Sequence, residues 1–561
     1  GDDFTDRNTA PNGLDIAFGI ALIVLVLEAM RRTNGWIMPV IASAFLAYAL
    51  FGAYLPAPWT HKGYEVGRLV GVMYMTLEGI YGVAVDVSSS LIILFTIFGA
   101  FLQYSGAGKF YIDFSFAAMG GKPTGAGRTV VLASFLLGGP SGSGVATTVT
   151  LGAVAYPMLA KVGYEKNAAG GLLAAGGLGA IISPPVLGAA AFLIAEFLKI
   201  SYLDVLLMAV IPTLLFYLAL FLMVEIDARK YRMGRTTFIA ADSVWNLTRR
   251  YWFHFLSLVS IVFFMMWGFS PVLSVFWATV VSFLTSFLRR DTALLPYELF
   301  TGKGSFLRKL VDSPFVKAME GGSIGVLNVA ATCAGAGLIV GVVTLTGLGL
   351  KFSSIVIDYA GGSLFLTAVY TSLIVWVIGL AVPVTASYII CAVIAAPALT
   401  KLGVPDYAAH MFIFYYAVLS EVSPPTALSP FAAAAITGGD PYKTTLQSWK
   451  YTLPAFLLPF VFVLDPAGAG LLLKPPPGVS WGDVAWITAT ATAGIAALAC
   501  GAQNWAFIRC RWWERLAFIA AGLLLVYPHG WADIIGLSLI ALALLAQWMR
   551  RPNLRLTPGA T

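Results

Sequence analysis

Ile182-Ser183-Pro184-Pro185 and Val422-Ser423-Pro424-Pro425 are two short breaks, each inside an apolar run long enough to cross a membrane. They are separated by a constant offset of 240 residues. The same offset carries Pro157 to Pro397, Lys161 to Lys401, Gly163 to Gly403 and Ala168-Ala169 to Ala408-Ala409. One element therefore occurs twice, and each copy has a helix broken at mid-depth. In membrane transporters, interrupted helices at corresponding positions of two repeats point to the binding site.

The 561 residues are 59% hydrophobic and 11% charged, with a mean hydropathy of +0.84. Soluble domains carry about 25% charged residues. Apolar runs of the ~20 residues that span a bilayer recur along the whole chain. Such a chain must satisfy its backbone internally, and the alternating pattern of a membrane barrel is absent. The expected fold is an all-α polytopic membrane protein. Four cysteines (Cys333, Cys391, Cys500, Cys510) lie scattered in or at apolar runs without metal-ligand spacing, which reads as buried packing. The net charge of +7 fits basic loops on one membrane face and does not require nucleic acid. The sequence opens at Gly1, which reads as a trimmed N-terminus, and carries no signal-peptide pattern.

Taken in order, residues 1–87 hold two spans, 14–30 and 36–54, then a mixed segment, 55–87, expected outside the membrane or at its interface. The first repeat covers 88–195. Within it, residues 128–160 carry Gly138-Gly139-Pro140-Ser141-Gly142-Ser143-Gly144 at their centre. Glycine and proline both break helices. Each arm of ~15 residues reaches only about 20 Å of a ~30 Å core. A re-entrant hairpin fits, followed by the broken helix 167–195. Residues 196–319 are expected as further helices with two basic loops. The second repeat, 320–435, has a hairpin at 362–400, broken at Gly379-Leu-Ala-Val-Pro-Val-Thr385, and a broken helix at 407–435. A helix and a Pro/Gly-rich segment follow over 436–483, then three spans over 484–561.

Charge orients these spans. With the N-terminus outside and each hairpin returning to the side it entered from, seven of the 34 basic residues fall outside: Arg7, Lys62, Arg68, Lys199, Lys351, Lys401 and Lys474. The other 27 fall inside, as positive-inside sorting requires. The C-terminus is then cytoplasmic. The two repeats become inverted, and their hairpin tips enter from opposite faces.

The polar side chains at the four breaks are small: Ser141, Ser143, Thr147 and Thr148; Ser183; Thr385 and Ser387; Ser423, Thr426 and Ser429. Half-helix N-termini favour anions, and freed carbonyls favour cations. Alternatively, Ser, Thr and Gly simply let membrane helices approach closely. Glu421 is the deepest acid, two residues before Ser423, and intramembrane acids are usually functional. Asn328, Thr332 and Cys333 lie in a small-residue span that reads as packing. There is no P-loop, no HExxH and no nucleophile elbow, so neither ATP hydrolysis nor an enzyme is coded here.

The runs Tyr111-Ile-Asp-Phe through Gly138, Ser141-Gly-Ser-Gly-Val-Ala-Thr-Thr148, Ile182-Ser-Pro-Pro-Val-Leu-Gly-Ala-Ala-Ala-Phe192 and Tyr202-Leu203-Asp204 resemble the fused permease of TRAP (tripartite ATP-independent periplasmic) transporters. Gly341-Val-Val-Thr-Leu-Thr-Gly-Leu-Gly-Leu-Lys-Phe-Ser-Ser354, Ala395-Ala-Pro-Ala-Leu-Thr-Lys-Leu-Gly-Val404 and Tyr416-Ala-Val-Leu-Ser-Glu-Val-Ser-Pro-Pro-Thr-Ala427 resemble its TAXI-associated branch. The resemblance covers about residues 60–548. It implies secondary import of an organic acid in a bacterial or archaeal inner membrane. A TAXI-type periplasmic binding protein would deliver the substrate, and a Na+ or H+ gradient would drive it. It also implies an elevator motion of the two repeats against scaffold helices. Three departures stand out. The second hairpin lacks the family's Gly-Met-Gly-Leu-Pro-Thr-Thr, Glu421 stands where Asp is expected, and only two spans precede residue 88. A separate small membrane subunit could complete the scaffold.

The reading is an ion-coupled carboxylate importer. Its expected substrate-binding residues are Ser141, Gly142, Ser143, Ser183, Thr385, Ser387, Ser423 and Thr426. The expected ligands of the coupling ion are Ser141, Gly144, Ser183, Val382, Thr385, Glu421 and Ser423, through hydroxyls, carboxylate and backbone carbonyls. No cofactor is expected beyond that ion. An ion channel would also use re-entrant loops, and a lipid-directed membrane enzyme would need paired intramembrane His, Asp or Glu.

Overall fold

The computed structural model describes residues 2–119, 124–141, 143–233, 242–295, 297, 306–425 and 427–550. Helices of eight residues or more are numbered in chain order. The N-terminal group is α1 (Gly13–Asn34), α2 (Ile37–Phe51) and α3 (Val66–Met75). The first repeat is α4 (Val83–Tyr104), α5 (Ala107–Met119), α6 (Gly125–Ser141), α7 (Gly144–Val162), α8 (Lys166–Ile182) and α9 (Ala190–Leu198). Then come α10 (Tyr202–Lys230), α11 (Val244–Tyr251), α12 (Phe253–Met266) and α13 (Pro271–Ser286). The second repeat is α14 (Pro314–Thr346), α15 (Leu348–Tyr359), α16 (Leu364–Gly379), α17 (Val384–Ile394), α18 (Asp406–Leu419) and α19 (Leu428–Thr437). The chain closes with α20 (Pro441–Leu464), α21 (Trp481–Gln503), α22 (Trp512–Val526) and α23 (Gly530–Arg550).

Eight helical segments among the described residues are long and apolar enough to cross a membrane. The protein is an all-α polytopic membrane protein. One of the eight is α7, whose 19 residues exceed the ~15 expected of a hairpin arm. Residues 66–75, expected outside the membrane or at its interface, form α3. It buries Leu69, Val70, Val72 and Met73 against the N-terminal helices and α14.

The 240-residue offset is carried by the backbone. α7 begins at Gly144 and α17 at Val384; α8 begins at Lys166 and α18 at Asp406. Gly163 and Gly403 both adopt positive φ, at 99° and 93°, the left-handed conformation that ends a helix with a glycine. The repeats interlock through their last helices: α19 packs on α7 and α8, and α9 packs on α17 and α18.

α8 is the hub. It contacts α6, α7, α19 and α20, and every residue from Ala169 to Ile182 is buried. A helix enclosed on all sides needs small residues, which explains its five glycines. A β-carbon on Gly177 would lie 2.1 Å from Thr148 Oγ1 and 2.5 Å from the Gly144 carbonyl oxygen.

Candidate functional site: the helix breaks and hairpin turns

Each break is built the same way. Two successive prolines cannot donate to a helix, and the residue before a proline is pushed to extended backbone. Ser183 (φ −91°, ψ 124°) and Ser423 (φ −111°, ψ 131°) are both extended. Pro184-Pro185 and Pro424-Pro425 are both cis. Both serine hydroxyls turn back on their own helix. Ser183 Oγ donates to the Gly179 carbonyl at 2.6 Å, and Ser423 Oγ to the Leu419 carbonyl at 2.8 Å. The preceding carbonyl is capped from outside in both copies. Thr213 of α10 donates to Ile182 O at 2.6 Å, and Trp449 Nε1 of α20 to Val422 O at 2.9 Å.

Each hairpin turn rests on its own repeat's break through a glycine. A β-carbon on Gly138 would lie 3.0 Å from Ala180 O and 3.2 Å from Ser183 Cβ. One on Gly379 would lie 2.7 Å from Ser420 Cβ. Ala180 and Ser420 are equivalent positions under the 240-residue offset.

The two repeats meet at Gly144, the first residue of α7. A β-carbon there would lie 3.0 Å from Glu421 Oε1, 3.0 Å from Ile181 Cδ1 and 3.2 Å from Gly177 O. Ile181 and Glu421 are equivalent positions, so the two breaks border the same glycine. The Glu421 carboxyl accepts from Ser429 Oγ at 3.1 Å and from the Val145 backbone N–H. The second repeat's acid thus sits at the N-terminus of the first repeat's hairpin arm, where the helix dipole and free N–H groups favour an anion. The first broken helix has no acid between Glu165 and Glu196.

Beside this junction lies a cavity of about 430 Å³ between the first hairpin turn, the first break, α4 and α14. Ser143, Ala146, Val186, Phe192, Gln103 and Val329 line it. That volume suits a small organic molecule.

The family profile described as "Tripartite ATP-independent periplasmic transporter, DctM component" matches residues 21–468. The chain belongs to this family. Among its curated relatives is the 2,3-diketo-L-gulonate TRAP transporter large permease of Escherichia coli, 36% identical over 109 residues, 19% of this chain and 26% of that protein. The C4-dicarboxylate TRAP transporter large permease of Pseudomonas aeruginosa is 24% identical over 374 residues, 66% of this chain and 82% of that one. Its counterpart in Vibrio cholerae is 27% identical over 230 residues, 39% and 48%. The relatives are named as transporter permeases, and the family is not enzymatic.

In this DctM-family permease the expected site residues fall into three groups. Ser143, Gly144 and Glu421 come together at the junction. Ser143 caps α7, accepting from Ala146 N at 3.4 Å, and also faces the cavity. Ser183, Ser387 and Ser423 are fully buried. Ser387 Oγ donates to Val375 O at 3.4 Å, and Ser423 Oγ also accepts from Trp376 Nε1 at 2.8 Å. These hydroxyls serve the protein's own backbone and neighbours. Val382 and Thr385 lie on either side of Pro383 at the second turn, and both are buried. The Ser141 side chain, Gly142 and Thr426 lie outside the described residues.

The carbonyls of Ile182 and Val422, which the breaks would free, each accept a hydrogen bond, from Thr213 and Trp449. Glu421 and Ser429, which bond each other, are oxygen groups of the kind a hard cation takes, and Thr147 of α7 has a buried Oγ1 with no hydrogen-bond partner among the described residues. Sequence reasoning missed Trp376, Trp449, Thr213 and Tyr217, whose hydroxyl accepts from Ser183 Oγ at 3.3 Å. The signal for the two tryptophans was their place within apolar helices flanking the breaks, since an indole N–H buried there needs an acceptor.

Proposed function

We propose that this permease imports an organic acid by ion-coupled secondary transport, the substrate being handed over by a TAXI-type periplasmic binding protein. The observation that carries this reading is Glu421. One repeat places a lone carboxyl on the hairpin N-terminus of the other, beside a cavity of suitable size. A carboxyl there competes with a substrate carboxylate for the same positive helix end. Binding H+ or Na+ at Glu421 removes that competition, which couples ion to substrate. Ser429, which bonds Glu421, supports a Na+ site there, and Thr147 of α7 is a further hydroxyl to test in it. The names of the relatives make C4-dicarboxylates and sugar-derived keto acids the first substrates to test.

The two repeats are inverted in this proposal, with the N-terminus outside and the C-terminus cytoplasmic. Residues 88–195 and 320–435 move as one unit. The N-terminal helices, α10, α12, α13 and α20 form the scaffold, completed by a separate small subunit where one exists.

The test is uptake of labelled acid into proteoliposomes with the cognate binding protein, imposing Na+ and pH gradients separately. Uptake driven by one gradient and absent without the binding protein is expected. Equal uptake under no gradient would overturn the coupling. Single-channel currents without binding protein would place the protein among channels.

A further inference from the structure

α12 and α13 form an antiparallel pair whose outer side is apolar. Leu256, Val259 and Phe263 of α12 and Phe276 and Leu284 of α13 are all exposed. In a membrane protein such a face meets acyl chains. Two exposed tryptophans mark its ends: Trp252 just before α12 and Trp267 just after it. About 22 Å of helix rise separates them, and tryptophans gather at the two membrane interfaces. The level of Trp252 is therefore an interface.

At that level lies a cavity of about 530 Å³ lined by Asn246, Arg249, Arg250, Trp252, Leu288 and Arg289, with Phe253 below. Three arginines, Arg249, Arg250 and Arg289, are among its lining residues. Arg250 shares Asp242 at 3.3 Å, and Arg289 shares Asp291 at 3.1 Å and lies over the Tyr251 ring. Both pairs are exposed and weak, and each guanidinium keeps further donors. Arg249 makes no ion pair among the described residues. α11 carries the first two arginines; it buries Leu247 on one face and exposes Trp245 on another, as an interfacial amphipathic helix does.

We propose that this cavity binds the phosphodiester headgroup of an anionic phospholipid, its acyl chains running down the α12–α13 face. Guanidinium forks match phosphate oxygens bidentately. Leu288 continues into Leu284, and Trp252 into Leu256, one helical turn deeper in each case. A free phosphate would use the same arginines but leave the apolar wall empty. The continuity of basic pocket and apolar wall favours the lipid.

Native mass spectrometry of the full chain, titrated with phosphatidylglycerol, with phosphatidylcholine of the same chains and with glycerol 1-phosphate, tests this. Phosphatidylglycerol should bind one site tightly, and millimolar glycerol 1-phosphate should not displace it. Arg249→Gln should weaken that site about fivefold, and the triple variant Arg249→Gln/Arg250→Gln/Arg289→Gln about a hundredfold, at the usual contribution per basic residue near a membrane surface. Because Arg249 holds no ion pair among the described residues, the single variant should keep the fold and reads out the site even where the triple variant does not. Arg509→Gln/Arg515→Gln, at a separate basic pocket, should leave the site unchanged. Equal affinity for both lipids, an unchanged Arg249→Gln variant, equal weakening by the Arg509/Arg515 pair, or displacement by glycerol 1-phosphate would each overturn the proposal.

Discussion

At the scale of residues, the molecule turns on what surrounds Gly144. Glu421, Ile181 and Gly177 approach it from three sides at 3.0–3.2 Å from where a β-carbon would be. Gly144→Ala overpacks a site with backbone on one side, so it should destabilise by about 1–3 kcal/mol and lower uptake; thermal unfolding in detergent and proteoliposome uptake measure the two effects. Glu421→Gln keeps the shape and the bonds from Ser429 and Val145 but removes the ionisable oxygen. Gradient-driven uptake should fall at least tenfold while binding-protein docking and the unfolding temperature stay close to wild type. Full gradient-driven uptake by Glu421→Gln would remove this residue from the ion pathway. Glu421 and its absence from the first repeat were legible in the sequence, because an acid in an apolar run stands out. Gly144 was expected in the same ion site, but its direct contact with Glu421 was not legible. Gly144 is 277 positions away, and only the interlock of α19 with α7 and α8 brings the two together.

At the scale of elements, each Ser-Pro-Pro break is held by a donor from a neighbouring long helix. Thr213 caps Ile182 O and Trp449 caps Val422 O, and both carbonyl-bearing residues are buried. Thr213→Val and Trp449→Phe each leave a buried acceptor without a donor, costing about 1–3 kcal/mol. The two sites share no partner, so the double variant should lose roughly the sum, read as additive drops in stability by chemical denaturation in detergent. A strongly non-additive result would mean that the breaks are mechanically linked through α8. The positions of the breaks were visible from proline and glycine alone, since those residues act through their own backbone. The expectation that Ser183 and Ser423 bind ligand rested on the general rule that broken helix ends, with small hydroxyls beside them, bind ions and carboxylates. The rule gives no sign of a serine that bonds the carbonyl four residues back, which is a local choice of rotamer. It also gives no sign of a carbonyl capped from another helix, which depends on packing between α10 or α20 and the repeats.

At the scale of the whole molecule, the open question is which helices move together. The all-α polytopic class followed from composition, and the twofold repeat from the constant offset, because both are properties of the sequence summed over long stretches. The boundary between moving and static parts is not such a property. It depends on which interfaces slide. α14 meets the N-terminal helices through glycines. A β-carbon on Gly335 would lie 1.8 Å from Met30 Sδ, and one on Gly341 would lie 2.8 Å from Met73 Cε and 2.9 Å from Met73 Sδ. In the proposed mechanism this contact separates the second repeat from the N-terminal scaffold, so it must give way in every cycle. Met73→Cys/Gly341→Cys, in a background with Cys333, Cys391, Cys500 and Cys510 replaced, places two thiols across it. A short, reducible thiol-to-thiol cross-linking reagent should bridge them and stop uptake, and a reductant should restore it, while either single variant transports under both conditions. Continued uptake by fully cross-linked protein would mean that α3 travels with α14, and the scaffold would then have to be sought among α10, α12, α13 and α20 alone.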